Sequence, residues 1–502
     1  MAVVAALFLI LLIIPVAATA QGEGTPTAVW AHDALVRALS ACDDITDSFH
    51  RAQALAEISE AQAAAGEVTA ARGNLERALK VALSIDEEPL RNWALHDIGR
   101  AFVKADDLAA AEAAAESIRD VRLHDGVLAA VVDARRGARD LPGAQATARR
   151  MKDVARQGAS LRAITIQQAS ENDFTGAMAT ARSIQYGRAN ALAIGDVAAA
   201  IARDGAFDEA RLLAARIRDG SSRSRAFVEV AVAQAGIGDI KGALATLAQV
   251  DDKLDRAEGT ARIAAARAPA APTEAREMFA QALATVTKTR AGANRKADTY
   301  VEIARAQILA DDVAGSTATL KRAFGAVADV KGESERLNLL SHIAPLQARA
   351  GDYAGAFSTA MRAEDASLRP LLVRDIAASQ AEKGDVTGAV AIARSLDDRA
   401  AAAAALFGIL RVQSQTHDIS GLRETIGVTL QAVRVIGSTE LRAGALGSLA
   451  AAHAREGDVD GAQAMFAEAM NTAAAADRGQ QRAAVYARIA DSLADRHRPL
   501  ND

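Results

Sequence analysis

Apolar residues recur along this chain in a fixed relation to a short polar junction. Near the C-terminus the junction reads Glu456-Gly457-Asp458-Val459-Asp460-Gly461-Ala462. Near-copies stand at 383–389 (KGDVTGA), 350–356 (AGDYAGA), 237–243 (IGDIKGA), 171–177 (ENDFTGA) and 417–422 (HDISGL). A glycine such as Gly457 ends a helix in the left-handed conformation. The aspartate after it caps the first free N–H groups of the next helix. Each junction therefore predicts a tight turn between two helices.

Taking that aspartate as position zero, the zeros fall at Glu67, Asp107, Asp140, Asp173, Ala206, Asp239, Ala271 or Pro272, Asp312, Asp352, Asp385, Asp418 and Asp458. The gaps are 33 or 40 residues, apart from the one-residue ambiguity at Ala271/Pro272. Nine residues before each zero stands an aliphatic residue, from Ile58, Ile98 and Val131 through to Ile409 and Leu449, with Ile489 forty residues further on. Three residues earlier comes a second apolar column (Leu55, Leu95, Leu128, Tyr300, Leu446, Tyr486), broken only by Thr260. An i, i+3 apolar pair repeated in this way is the buried face of one helix, helix A.

Helix B follows each zero, with an apolar lead-in such as Val459, then Gly three residues on (Gly143, Gly176, Gly242, Gly315, Gly355, Gly388, Gly421, Gly461) and Ala four on. Glycine inside a helix costs about 0.5–1 kcal/mol relative to Ala. Its recurrence is read as a close crossing of helices A and B. The seven extra residues of the longer copies are about two helical turns and return side chains to nearly the same face. They are therefore expected to lengthen helix B. A period of this size predicts an all-α fold, an α-α superhelix (solenoid) of about twelve helix–turn–helix repeats of 33 or 40 residues plus a terminal helix.

Outside the repeats, residues 1–20 (MAVVAALFLILLIIPVAATA) carry no charge, with an apolar run from Val3 to Ile14 and Ala18-Thr19-Ala20 before Gln21. That pattern is expected of a secretory signal peptide cleaved after Ala20. The run is short beside the roughly 20 apolar residues of a membrane span. An uncleaved N-terminal anchor is the alternative. Residues 21–49 are read as a linker and an N-terminal capping helix, 50–495 as the array and 496–502 as a tail. Pro269 and Pro272, in APAAPTEA (268–275), predict a bend, and Pro345 a kink within helix A.

Composition narrows the chemistry. Half the residues are hydrophobic, largely Ala, yet only 3% are aromatic, and the net charge is −5. A mildly acidic chain has no overall attraction to nucleic acid or anionic membrane. Cys42 is the only cysteine. It is expected as a small buried residue of the first helix, and no intrachain disulfide can form. Gly236-x-Gly238-x-x-x-Gly242 has the wrong spacing and no preceding strand for a dinucleotide loop. Asp458-x-Asp460-Gly461 lacks the rest of a calcium loop. The eight histidines form no metal-binding pair. No nucleophile elbow, P-loop or paired Cys nucleophile occurs. The expectation is a non-enzyme with no cofactor and no metal.

The chain resembles the tetratricopeptide repeat (TPR) superfamily over roughly residues 27–495. The carrying residues are Tyr300, Ile303 and Ala304 or Leu446, Leu449 and Ala450 in helix A, and Gly351, Asp352, Tyr353 and Ala356 at the junction. In helix B they are Phe466 with Ala469 and Phe279 with Ala282. The chain departs from that pattern in its period. The helix A tyrosine is often Gln (Gln62, Gln168, Gln234, Gln307, Gln347, Gln380, Gln413), and the closing proline is absent. Pentatricopeptide repeats share the spacing and bind RNA, but the leader, the acidic balance and the few aromatics argue against that reading. The TPR resemblance implies a protein-interaction scaffold that binds along the concave helix A face; the leader and the Ala-rich composition lead to the expectation that it works in the bacterial periplasm or outside the cell.

The positions three and seven before the zero place Arg100, Lys104, Arg203, Arg305, Arg349, Arg411 and Arg455 on that face, against Glu60, Asp133, Glu382, Asp491 and Asp495. They form a candidate groove for an acidic extended peptide or a polyanionic polymer. The alternative function is a glycan- or peptidoglycan-binding or enzyme-accessory solenoid. No nucleic-acid partner and no membrane span in the mature chain are expected.

Overall fold

The junctions give rise to helices at the expected places. A computed structural model describes residues 26–365, 368–416, 419–476 and 479–494, among which there are twenty-six α-helices and no strand. In chain order they begin with α1 (Pro26–Asp43), α2 (Ser48–Ala64), α3 (Val68–Leu83), α4 (Glu88–Lys104), α5 (Leu108–Glu116), α6 (Val121–Gly137) and α7 (Leu141–Arg149). There follow α8 (Val154–Ser170), α9 (Phe174–Ser183), α10 (Gly187–Arg203), α11 (Phe207–Ala215), α12 (Gly220–Gly236), α13 (Ile240–Leu247) and α14 (Lys253–Arg267). Next come α15 (Pro272–Lys288), α16 (Ala293–Leu309), α17 (Val313–Val327), α18 (Glu333–Arg349), α19 (Tyr353–Met361) and α20 (Leu368–Glu382). The chain ends with α21 (Val386–Arg394), α22 (Arg399–Gln415), α23 (Ile419–Arg434), α24 (Thr439–Arg455), α25 (Val459–Ala474) and α26 (Gly479–Leu493).

Even-numbered helices are the A helices and odd-numbered ones, from α3, the B helices. Every helix B starts one residue after its zero, and α15 does so with Ala271 as its N-cap. The longer period lengthens helix B as expected. The short copies α5, α7, α11, α19 and α21 have 9 residues, whereas α3, α23 and α25 have 16. The leader, Asp418, His417, Asp495 and the tail lie outside the described residues. No described helix is long and apolar enough to cross a membrane.

The residue before ten of the zeros takes the left-handed conformation, supplied by glycine at Gly66, Gly205, Gly238, Gly351, Gly384 and Gly457. Asp106, Arg139, Asn172 and Asp311 adopt it without that freedom, at φ 55–63°. The glycine three residues into helix B has a different cause from the one read in the sequence. At Gly143, Gly176, Gly242, Gly355 and Gly461 an added Cβ would meet the carboxylate of the capping aspartate, not a neighbouring backbone. Asp173 accepts from Gly176 N–H at 2.9 Å, Asp239 from Gly242 at 2.9 Å and Asp458 from Gly461 at 3.0 Å. The missing side chain makes room for the cap.

In five copies, glutamine where the TPR pattern has tyrosine joins helix A to helix B through a buried hydrogen bond. Gln168 bonds Thr180 at 2.8 Å, Gln234 bonds Thr246 at 2.6 Å, Gln307 bonds Thr319 at 2.7 Å and Gln347 bonds Thr359 at 2.6 Å. Gln62 bonds Asn74 in the same register at 2.9 Å. Gln307 also donates to the free oxygen of the Asp312 cap at 3.1 Å, and Gln380 to that of Asp385 at 2.6 Å. Buried amides demand such partners, because an unmet polar group costs about 1–3 kcal/mol.

Helices and contacts divide the chain into two compact units. One holds α1 to α5, most of α6, most of α20 and α21 to α26; the other spans Arg135–Leu372. The divisions fall inside α6 and α20, not at the proline-containing segment 268–275. Within the second unit, α14 packs on α12 before that segment and on α16 after it. Pro345 lies inside α18 without ending it.

The first unit joins the two ends of the chain. The sequence places α1 as a cap and leaves the last helix A without a helix B. In the structure α1 packs along α26, and α26 packs against both α24 and α2. Trp30 of α1 stacks on Phe466 of α25 with ring centroids 5.4 Å apart and planes at 14°. At the start of α26, a Cβ on Gly479 would press the Ala41 carbonyl oxygen at 3.1 Å. Residues Ala31, Leu35, Ala38, Cys42 and Ile45 are all buried. They repeat the spacing of Ala71, Leu75, Ala78, Ala82 and Ile85 in and after α3, forty residues on. By packing and by register, α1 is the helix B of α26.

Candidate binding face of the A helices

Along each unit, helix A lies beside the next helix A, and charged side chains bridge them. In the second unit Arg162 of α8 reaches Asp196 of α10 at 2.6 Å, and Arg262 of α14 reaches Glu229 of α12 through two hydrogen bonds at 2.6 and 2.9 Å. Arg295 of α16 bonds Asp252 at 2.8 Å and Asp255 at 2.9 Å, before and within α14. Most of these groups stand ten or more residues before the zero, a turn or more nearer the helix start than the positions singled out in the sequence.

Their electrostatics are set by partial burial and by mixed neighbours. Burial works against the charge of Glu229, but the Arg262 guanidinium outweighs it and holds the carboxyl below its ordinary value. Glu258 is raised, first by burial and then by Glu302, Asp255 and Glu229, with Arg262 opposing. Burial followed by Asp252 raises Asp255, and burial followed by Glu302 raises Asp298.

The corresponding face of the first unit also mixes acids and bases near the joined ends. Lys104 of α4 pairs with Glu60 of α2 at 2.5 Å, Gln53 donates to Asp97 at 3.2 Å, and Arg488 of α26 pairs with Glu440 of α24 at 3.2 Å. Glu57 of α2 keeps contact with solvent, yet loss of hydration within this wall pushes its carboxyl up to about 7. Glu60, Glu440 and Asp97 add to that rise and Arg488 opposes it. Trp93 of α4 is 43% exposed, meets His96 edge-on at 5.9 Å and lies under the Arg122 guanidinium at 5.8 Å.

The seven basic residues expected along this face fall in both units. Arg100 and Lys104 (α4), Arg411 (α22) and Arg455 (α24) belong to the first unit, and Arg203 (α10), Arg305 (α16) and Arg349 (α18) to the second. Arg100, Lys104, Arg203, Arg305 and Arg349 are exposed, while Arg411 and Arg455 are half-buried. Arg305 pairs with Glu302 at 3.4 Å. Of the acids, Asp133 and Glu382 are exposed and Glu60 is half-buried. Asp491 is buried rather than surface-lying.

One column escaped the sequence reading altogether. Sixteen residues before the zero, an arginine reaches back to the carbonyl at the end of the preceding helix B. Arg91 bonds Ile85 O at 2.7 Å, Arg223 bonds Ile217 O at 3.2 Å, Arg336 bonds Val330 O at 3.2 Å and Arg442 bonds Ile436 O at 3.1 Å. Cations suit helix C-termini, where carbonyls are left unpaired. The same ruler carries the signal, since Arg51, Arg91, Arg223, Arg336, Arg369, Arg442 and Arg482 share the position.

No protein-family model matches the chain, and no curated protein matches it. Among solved structures, yeast Tom70 is similar at 15% identity over 88% of this chain and 95% of its own, with a TM-score of 0.26. A human IFIT1 dimer with m7Gppp-AAAA is similar at 13% identity over 90% and 96%, with a TM-score of 0.28. Ton1535 from Thermococcus onnurineus NA1 is similar at 15% identity over 61% and 96%, with a TM-score of 0.25. Overlaps of this size transfer nothing from those proteins. The repeats themselves carry the assignment: two-helix units, repeated at 33 or 40 residues apart from a one-residue slip at Ala271, and packed A helix to A helix, make this chain a TPR-like α-solenoid.

Proposed function

We propose that this chain is an exported, non-catalytic interaction scaffold of the bacterial cell envelope, holding an extended segment of a protein partner along its A-helix faces. The observation that carries the reading is the ladder of half-buried, partly paired charges between successive A helices. Such groups present directional donors and acceptors at repeat spacing, which suits an extended chain with its own repeating polar groups. Arg100, Lys104, Arg411 and Arg455 would contact the partner in the first unit, and Arg203, Arg305 and Arg349 in the second. Electrostatic complementarity of this kind favours an acidic segment. Export rests on the uncharged, apolar residues 1–20 and the Ala18-Thr19-Ala20 sequence before Gln21.

The test is crosslinking and affinity capture from the cell envelope with the tagged, exported chain, after its N-terminus has been sequenced. The expected result is a mature start at Gln21 and one recurrent protein. That protein should be lost when Arg305, Arg349 and Arg411 are reversed to glutamate. Capture that survives the reversal would sink the face assignment. Co-purifying polysaccharide with no protein would replace the scaffold with a glycan-binding role.

A further inference from the structure

Trp93 lies where an exposed indole is least expected. Aromatics make up 3% of the chain, and of its two tryptophans Trp30 is occupied by its stack on Phe466. Trp93 stands fourteen residues before its zero. No other A helix carries an aromatic residue there; Gln53, Gly126, Ala159, Leu192, Arg225 and Asp298 hold the place in other copies. Trp93 is four residues before Asp97 on α4, so it shares the face that carries the cross-helix bonds.

It also lines a hollow of about 280 Å³ between the starts of α4 and α6, with Arg119, Arg122 and Leu123 on the far side. That volume suits one large side chain. The floor is held in place: Asn92 Oδ1 accepts from Arg119 N–H at 3.2 Å, and Asp120 caps Leu123 N–H at 2.9 Å. The rim sets two guanidinium groups, Arg119 and Arg122, beside two carboxylates, Glu88 and Asp120, and is adjustable at one of these pairs. Arg119 pairs with Glu88 at 2.9 Å, but both are exposed, at 74% and 44%. A pair in that setting contributes about 0–1 kcal/mol, so a ligand carboxylate can replace Glu88 at little cost. Arg122 already lies over the indole face, where a cation is attracted to the ring. Tryptophan beside arginine is the composition of binding hot spots.

We propose that this hollow is the anchor subsite for the partner segment, taking a large apolar or aromatic side chain against Trp93 and an adjacent carboxylate on Arg119 and Arg122. The assignment rests on the reading of the A-helix face as a protein-binding surface. It fixes the partner's chemistry: an extended peptide in which a bulky apolar residue is next to an acidic one.

The test titrates the full chain with acetyl-Glu-Phe-Asp-Asp-amide, with its Phe→Ala counterpart and with N,N′-diacetylchitobiose. Trp93 emission is followed in a Trp30→Phe background, and isothermal calorimetry is run in parallel. The Phe peptide should saturate and the Ala peptide should bind at least tenfold more weakly. By calorimetry, Trp93→Ala should weaken the Phe peptide at least tenfold and Arg122→Gln several-fold, with the helical circular dichroism unchanged. Equal binding of both peptides, or binding unaltered by Trp93→Ala, would overturn the proposal. So would saturable, Trp93-dependent binding of the disaccharide alone. If the peptide fails while the captured envelope partner is still lost on reversal of Arg305, Arg349 and Arg411, the anchor is wrong and the scaffold reading stands. If both fail, the scaffold reading falls as well.

Discussion

The pair α16/α17 and the pair formed by α26 with α1 bury equivalent columns, yet only the first is joined by a turn. In α16/α17 the Asp312 cap, its Gly315 and the Gln307–Thr319 bond form one polar network around the junction. In α26 the residue four after Ile489, where Gln307 stands four after Ile303, is Leu493, and the residue facing Thr319's place in α1 is Ala34; both are buried. In α16/α17 the polar network is built around the capping carboxylate and is not a requirement of packing helix B on helix A. Where the chain does not turn, no capping carboxylate needs an amide, and aliphatic packing suffices. The pair α10/α11 is joined by a turn but has no capping carboxylate, since its zero is Ala206, and its corresponding residues are the aliphatic Ile201 and Leu213. What defines a repeat is the packing column, not the loop.

The comparison breaks most severely at the core. Leu35 in α1 and Leu320 in α17 hold the same place and are both fully buried. Either Leu→Ala change should cost about 2–5 kcal/mol in urea unfolding. Leu35→Ala should in addition expose Cys42 to thiol reagents, because that thiol is buried in α1 and burial has pushed it up to about 11. A Leu35→Ala cost near zero would mean that α1 is an ornament and not a helix B.

A smaller effect separates the two pairs chemically. Gln307→Leu strands Thr319 and removes one support of the Asp312 cap, and should cost about 1–3 kcal/mol. Thr319→Val made together with it should recover part of that loss. Coupling of the two changes in a double-mutant cycle would confirm a joint role; simple additivity would separate the amide from the hydroxyl.

The turns themselves should be improvable. Arg139 holds a left-handed φ of 61°, which costs a residue with a Cβ about 1–2 kcal/mol. Arg139→Gly should raise the melting temperature, whereas Gly457→Ala should lower it. Equal and opposite shifts would place the strain in the turn alone.

The most modest effect concerns the joined ends. A carboxyl raised on folding binds its proton more tightly in the folded state. Stability should thus fall as pH rises from the ordinary glutamate range toward about 7, where Glu57 ionises among Glu60, Glu440, Asp97 and Arg488. Glu57→Gln should remove that slope and be the more stable form above pH 7. An unchanged pH profile would mean that solvent screens the group.

Helix positions, the pairing of helices joined by a junction and the two helix B lengths were legible in the sequence. Each depends on signals within a few residues: an aspartate cap, a left-handed residue before it, and apolar spacing on one face. The glycine in helix B was legible as a column but not in its cause, because only side-chain placement shows the cap's carboxylate occupying its space. The arginines that reach back to the preceding helix B were also in register, though nothing local says where a long side chain ends. The sequence even placed Thr27 forty residues before Glu67, in step with the ruler. Without a glycine turn before it, and with its partner helix at the far end of the chain, α1 gave no local sign of being a helix B. That pairing, the charge ladder between A helices and the hollow beside Trp93 were decided by tertiary structure, because each brings together residues that only packing makes neighbours.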